Sequence, residues 1–501
     1  MTRRVESVAV VGRDAALWLA AAAIQRALGP TGVSVRVVEL ASSLSPVDLY
    51  AALPSLGSMH QLLGIDEQSI LKIASGVPMV GQRYSNWSKA APPFLIAYDD
   101  EPPPSGDLQF THYWVKGHKE GMRVGIEDFS PGCVAARLGR VPVRQADDEG
   151  PLGASYGYHL DARSYVQALK QMVLRRGAEA STALAVDPVV DCGQIRSLDL
   201  ADGSRIEADL FVDASGTERV LIGRLAGAEF ESWRDLFPCD RMLAASGPRL
   251  ERLPSFSQIS AFRGGWIGLY PLQERTAVLA AYNSRSASDQ EVAEQIGVLS
   301  RIAVSGDAVV SDLKQGVLNQ PWIGNCVSIG DAAAALEPLD AAPLHIAQAC
   351  VSHLMALFPV TADEMPESIA YNRSIRAFAS NFRDFQVAHY KLNRRFDEQL
   401  WDRCREMKIP DGLERKIDVF GARAGVTLYN EESFTEQNWT LLLLGHGLEA
   451  EGYDPRIDVV ANEAHIELVQ QRLRAVAELA KEMPTVEQFL GLEIADAAGM
   501  R

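Results

Sequence analysis

The chain predicts a mixed α/β fold, with a parallel sheet started at its front and a helical region at its end. Three observations predict it. First, Ser7-Val8-Ala9-Val10-Val11 is a valine-rich apolar run that stops at Gly12; residues 18–24 follow as an apolar helix, and residues 33–39 read as a second strand ending in an acid, Glu39. Second, two more apolar strands end in small or acidic turns: Leu210-Phe211-Val212-Asp213-Ala214-Ser215-Gly216 and Cys326-Val327-Ser328-Ile329-Gly330-Asp331. Third, the pattern after about Asp340 is helical. The first of these is the layout of a βαβ unit that binds dinucleotides. Its turn, however, reads Gly12-Arg13-Asp14-Ala15-Ala16-Leu17 and not Gly-x-Gly-x-x-Gly.

The remaining elements follow in order. Residues 41–48 are loop-like, and 58–64 read as a short helix stopped by Gly64. Residues 79–87 alternate as a strand. Residues 99–106 are acidic and Pro-rich, an expected exposed loop, and Thr111-His112-Tyr113-Trp114 is an aromatic cluster. A helix is predicted from about 159 to 176, strands near 185–187 and 195–200, and a hairpin turn at Asp202-Gly203. Antiparallel strands are expected at 256–262, 265–272 and 277–283. Residues 341–362 are uncharged but broken by prolines and histidines, so they read as a buried core helix and not a membrane span. Residues 465–483 carry apolar residues at helical spacing. Two regions are expected: 1–340, a nucleotide-binding type of domain with substrate-sheet segments near 79–150 and 230–285, and 341–501, a helical cap.

A net charge of −17 disfavours nucleic acid and anionic membranes as partners, since both call for a basic surface. Six scattered cysteines and nine histidines form no metal-ligand spacing, so buried free thiols and no metal are expected. The sequence shows neither a secretory leader nor a spanning helix, which makes a cytoplasmic location the expectation.

Several phrases together resemble the flavin-dependent tryptophan halogenases over nearly the whole chain. They are Gly12 to Trp18, Thr111 to Trp114, Asp209 to Gly216, Asn325 to Gly330, Glu337-Pro338-Leu339, Arg383-Asp384-Phe385 with Ala388-His389-Tyr390, and Trp439 with Gly445-His446-Gly447. The resemblance implies an FAD-binding fold of the glutathione-reductase type with a substrate β-sheet and a helical C-terminal region. In that family reduced FAD, oxygen and halide yield hypohalous acid, which reaches a lysine. The lysine, helped by a glutamate, delivers halogen to an indole held by aromatic side chains. The implied partners are a flavin reductase and a second copy of the chain.

Carried onto this sequence, the machinery is altered at each position. In the FAD turn, Asp14 and Leu17 stand where the second and third glycines would be. A carboxylate about 4 Å from a pyrophosphate charge costs roughly 4 kcal/mol at a near-surface dielectric. Arg13 is the counter-argument, Asp14 as a simple helix cap is the bland alternative, and Glu39, Gly330 and Asp331 keep positions for the ribose, ribityl or pyrophosphate. The family's Gly-x-Gly-Glu phrase reads Ser45-Pro46-Val47-Asp48-Leu49-Tyr50, with no glycine. Counting back from Asn86-Trp87, the lysine position holds Met79, whose thioether cannot form a chloramine; Arg83 shares its strand parity about 13 Å away. The glutamate position holds Asp340, one methylene short, followed by Ala341-Ala342-Pro343, which lack a hydroxyl and an N–H for chloride or bromide. The Trp-x-Trp-x-Ile-Pro signature survives as Trp266 with Tyr270-Pro271. His112, Trp114, Trp266 and Trp439 are the candidate substrate contacts. The expectation is a degenerate member, not a competent halogenase alone, serving as a binding protein or the silent partner of an active halogenase. The alternative is an active FAD-dependent halogenase or monooxygenase acting on an aromatic substrate with rearranged groups.

Overall fold

The computed structural model describes residues 3–99, 108–142 and 155–492. It forms two compact units, each assembled from three stretches of chain. One takes residues 1–75, 160–240 and 311–383; the other takes 76–159, 241–310 and 384–501.

The first unit carries a six-stranded sheet in the order Trp322–Ile323, Cys326–Ser328, Leu210–Ala214, Ser7–Gly12, Ser34–Glu39 and Glu179–Thr182. All of its neighbours run parallel except the first pair. The valine-rich strand Ser7–Gly12 is central, so both its faces are covered and its apolar run is continuous, not alternating. Gly12 is required here because a Cβ would meet the Ala214 carbonyl at 2.1 Å. The small-residue turn after Leu210–Ala214 is tied by Asp213, which is fully buried. Its carboxylate accepts from the Ser215 amide (3.0 Å) and hydroxyl (2.6 Å), and from the amides of Leu221 and Ile222 at 2.9 Å each. The helix Asp14–Leu28 buries ten residues from Asp14 to Ile24. The predicted core helix after 341 runs Ala342–Ala356 with Pro343 in its first turn.

The second unit carries a seven-stranded sheet in the order Ser305–Asp312, Arg241–Pro248, Arg275–Tyr282, Gly265–Pro271, Phe256–Phe262, Gly81–Ser85 and Phe94–Ala97. The three predicted antiparallel strands are there. The predicted strand 79–87 is two strands, which is a correction. Val77–Met79 pairs with Gly157–Asp161, while Gly81–Ser85 pairs with Phe256–Phe262 and Phe94–Ala97. The break falls at Val80, before Gly81, whose missing side chain lets the Ile96 carbonyl approach to 2.3 Å of a Cβ position. Met79 and Arg83 therefore share no strand, and the parity linking them lapses. The aromatic cluster 111–114 lies on the helix Phe110–Lys119. Of the expected exposed loop at 99–106, residues 100–106 lie outside the described residues, and Asp99 is buried. Five of the six cysteines are buried; Cys192 is exposed. Among the described residues no helix is long and apolar enough to cross a membrane.

Candidate functional site

The altered turn of the first unit is held in an unusual way. Asp14 opens its helix at φ 57°, in the left-handed region. It does not cap the helix as the bland reading expects. Arg13 occupies the cap position and makes no side-chain cap bond. Asp14's carboxylate instead turns to the loop after Ser34–Glu39. It accepts from the Ser42 hydroxyl at 2.5 Å, the Ser43 amide at 3.1 Å and the Ser43 hydroxyl at 2.8 Å. Asp14 is a staple between turn and loop, so the repulsion of a bare carboxylate facing a phosphate is not the governing effect. Arg13 is also engaged, donating both guanidinium ends to Glu218 at 3.0 and 2.9 Å. Leu17, at the third glycine position, is fully buried in the core.

Three further contacts fill this corner. The Tyr50 hydroxyl accepts from the Ala15 amide at 3.4 Å, at the helix start where an anion would otherwise draw on that donor. Burial, then the charge of Asp14, holds the Tyr50 phenol well above its usual range. Glu39 is paired with Lys170 at 2.5 Å and accepts from the Trp18 indole N–H at 3.2 Å. Gly330 sits at φ 64°, where a Cβ would come within 3.1 Å of Ala16. Burial pushes the adjacent Asp331 up to about 6, opposed by Arg219. In the sequence Tyr50 is marked only by its place in a phrase without glycines, and Lys170 carries no local signal at all.

The catalytic-position residues are distributed between the units. Met79, in the second unit, is fully buried, and its sulfur accepts from the Ser257 hydroxyl at 3.0 Å. Ser257 also bonds His159 at 2.8 Å; burial drives that imidazole down to about 3, so it is neutral. Lys89 is exposed beside Glu398, and Lys72 is exposed on the helix Glu67–Ile73. In the first unit, Asp340 is 1% exposed, and both it (φ 55°) and Ala341 (φ 63°) are left-handed, immediately before the helix Ala342–Ala356.

The aromatic candidates of the second unit are embedded. Trp266 and Trp439 are fully buried, and Trp114 is 8% exposed with its N–H on the Val124 carbonyl and its ring stacked on His118 at 4.8 Å. Trp439 belongs to a constellation that nothing in the sequence singles out. Lys416, buried, pairs with Glu432 at 2.5 Å, and its ammonium lies 4.0 Å from the Tyr429 ring centre and 5.1 Å from that of Trp439. The Trp439 N–H reaches the same carboxylate at 3.3 Å. His112, the fourth candidate, does open on a cavity, of about 240 Å³.

The tryptophan halogenase family pattern matches residues 7–462, and the chain belongs to that family. The tryptophan 7-halogenase of Lentzea aerocolonigenes is 25% identical over 98% of this chain and 99% of its own. That of Kutzneria sp. is 26% identical over 85% and 83%. Among solved structures, a flavin-dependent halogenase from Brevundimonas sp. BAL3 superposes with a TM-score of 0.91 at 28% identity, covering 97% of this chain and 99% of that one. One from Xanthomonas campestris gives 0.90 at 27%, with 98% of each chain covered. The family is FAD-dependent, so membership implies an FAD site in this fold, and its enzymes typically work with a flavin reductase.

Proposed function

We propose that this protein is a halogenase-family member that does not halogenate on its own, and that it acts as a binding protein or as the silent partner of an active halogenase. The observation carrying this reading is Met79: the lysine position holds a thioether, fully buried and hydrogen-bonded by Ser257. A sulfur there offers no amine to carry halogen, and its packing leaves no room for hypohalous acid to meet it. The nucleotide corner supports the same reading. The amide of Ala15, the carboxylate of Glu39 and the carboxylate of Asp14 are each engaged by the chain's own groups. These residues do not fit FAD in the family's usual pose, because binding would have to displace Tyr50 and Lys170 before it gained a contact. The halide position, with Ala342 and Pro343 at a helix start, offers neither a hydroxyl nor a proline N–H. The test is an incubation of the purified protein with a flavin reductase, nicotinamide cofactor, FAD, bromide and indole or tryptophan. No brominated product by mass spectrometry is expected, and bromination above a reductase-only control would overturn the proposal.

A second reading, an active FAD-dependent halogenase or monooxygenase with rearranged groups, is favoured by one observation. Lys416 and Glu432 supply a buried amine and carboxylate against the Trp439 ring. If the same incubation gave product, loss of that product in Lys416→Met would locate the chemistry there.

A further inference from the structure

The helix Ala162–Arg175 sends Lys170 toward Glu39, but another row of its residues lines a groove of about 680 Å³ shared with the helix Glu67–Ile73 and wholly within the first unit. The two helices run antiparallel. At one end the Asp161 amide donates to the Ala74 carbonyl at 2.8 Å, and at the other the Arg176 guanidinium donates to the Leu63 carbonyl at 2.5 Å. Ile70 and Leu169 form a buried floor. Ile65, Ala168 and Met172 are half-buried over it and Ile73 is 56% exposed, so apolar surface is open along the groove. From Arg163 to Arg175 the helix spans roughly 18 Å at about 1.5 Å per residue.

The two ends differ in charge. At one, Arg163 is committed, donating twice to the Leu44 carbonyl at 3.2 and 2.7 Å. At the other, Arg26, Arg175 and Arg176 gather near Gly64. A Cβ on Gly64 would lie 3.4 Å from Arg26 Nη1 and 3.6 Å from Arg176 Nη2, and the glycine, at φ 66°, leaves that space to the guanidiniums. Neither Arg26 nor Arg175 has a hydrogen-bond or ion-pair partner among the described residues, and Nη1 of Arg176 is buried without one. Burial, then the charges of Arg26 and Arg175, holds Arg176 below the usual arginine range.

Helix dipoles do not balance this cluster. Three helices end beside it, Asp14–Leu28, Ser55–Leu63 and Ala162–Arg175, and the Gln25 side chain ties the first to the third by donating to the Arg176 carbonyl at 3.0 Å. Three C-termini supply roughly −1.5 charges against three guanidiniums, which leaves about +1.5. The acid that lines the groove, Asp66, caps its own helix by accepting from the Ser69 amide at 2.8 Å and makes no ion pair among the described residues.

From this pairing of an open apolar groove with one uncompensated cationic end, we infer that the protein binds a single-chain amphiphile with an anionic head, of the fatty-acid class, its carboxylate on Arg26 and Arg175 and its chain along Ile65, Met172 and Ile73. One charged end and one apolar run match one head and one chain. A second copy docked groove to groove about a two-fold axis would oppose arginine to arginine, and the net charge of −17 disfavours an anionic bilayer. The site uses neither flavin nor any residue of the nucleotide corner, so it goes beyond the function proposed above.

The experiment is calorimetric titration of the full chain with laurate, octanoate and dodecyltrimethylammonium, each below its micelle-forming concentration. Each buried methylene multiplies affinity roughly fourfold, so even half-burial makes laurate at least tenfold tighter than octanoate. The head group should make it at least tenfold tighter than dodecyltrimethylammonium. Arg26→Gln with Arg175→Gln, both at exposed side chains, should bring laurate and dodecyltrimethylammonium within threefold of each other with the melting temperature unchanged. Ala168→Phe, which fills the groove and leaves the arginines in place, should weaken laurate at least tenfold. Laurate no tighter than either comparison ligand, or an undiminished preference in the double arginine variant, would overturn the inference. So would co-sedimentation of the protein with phosphatidylglycerol vesicles, which would make the face a membrane contact, or a dimer that dissociates in Ile73→Asp, which would put a second copy over the groove. No turnover is involved, so failure here leaves the halogenation assay standing, and halogenation in that assay leaves this result standing.

Discussion

At position 99 a carboxyl group is 1% exposed and accepts from the Gly132 amide at 2.9 Å, the Gln437 amide group at 3.3 Å and the Ser130 hydroxyl. Burial outweighs these donors and pushes Asp99 up to about 6. A carboxyl raised in the fold binds its proton more tightly there than in the unfolded chain, so stability falls as pH rises from about 4 to about 6. Over that interval the loss amounts to about 3 kcal/mol. Asp99→Asn should therefore gain about 3 kcal/mol relative to the wild type between pH 4 and pH 7, read by urea unfolding at each pH. A constant difference between the two proteins across that range would refute the assignment. The burial of Asp99 was not legible in the sequence. An aspartate in an acidic, proline-rich stretch reads as solvated, and it is the distant Ser130, Gly132 and Gln437 that hold it inside. Asp14 shows the same limit. Its type and position were legible, but the partners that decide its role, Ser42 and Ser43, sit on a loop whose approach depends on the sheet.

Elements with strong periodicity or punctuation were legible. The valine run ending at Gly12, the helix stopped by Gly64 and the amphipathic helix Asn462–Glu482 follow from local patterning. The break at Val80 was not, because residues 79–87 alternate well enough for one strand, and pairing partners more than seventy residues away divide them. The turn before Ala342–Ala356 was half legible: Pro343 announces a helix start, but the consecutive left-handed pair Asp340 and Ala341 does not follow from their types. Such backbone tolerates Ala poorly and a β-branched residue hardly at all. Ala341→Val should cost at least about 2 kcal/mol, since it adds strain and overpacks a buried site, whereas Ala341→Gly should stay within about 1 kcal/mol of the wild type. Equal denaturation midpoints for all three proteins would mean that the turn is not held in this conformation.

Across the whole molecule, the order of the family phrases was legible and the family pattern over residues 7–462 agrees with it. The interleaving of three stretches in each unit has no signature in local periodicity, because it is set by which distant strands pair. The protein keeps the scaffold of its family, and in the function proposed above its nucleotide corner is closed to FAD by contacts among its own side chains: Tyr50 on the Ala15 amide, Lys170 on Glu39, and Asp14 on Ser42 and Ser43. An equilibrium titration with FAD, followed by flavin absorbance and fluorescence on the wild type and on Tyr50→Ala with Lys170→Ala, tests this most directly. A corner closed in this way gives no saturable binding by the wild type and at least a tenfold gain in affinity in the double variant. Wild-type protein that binds FAD stoichiometrically, or that loses affinity when Tyr50 and Lys170 are removed, would contradict it.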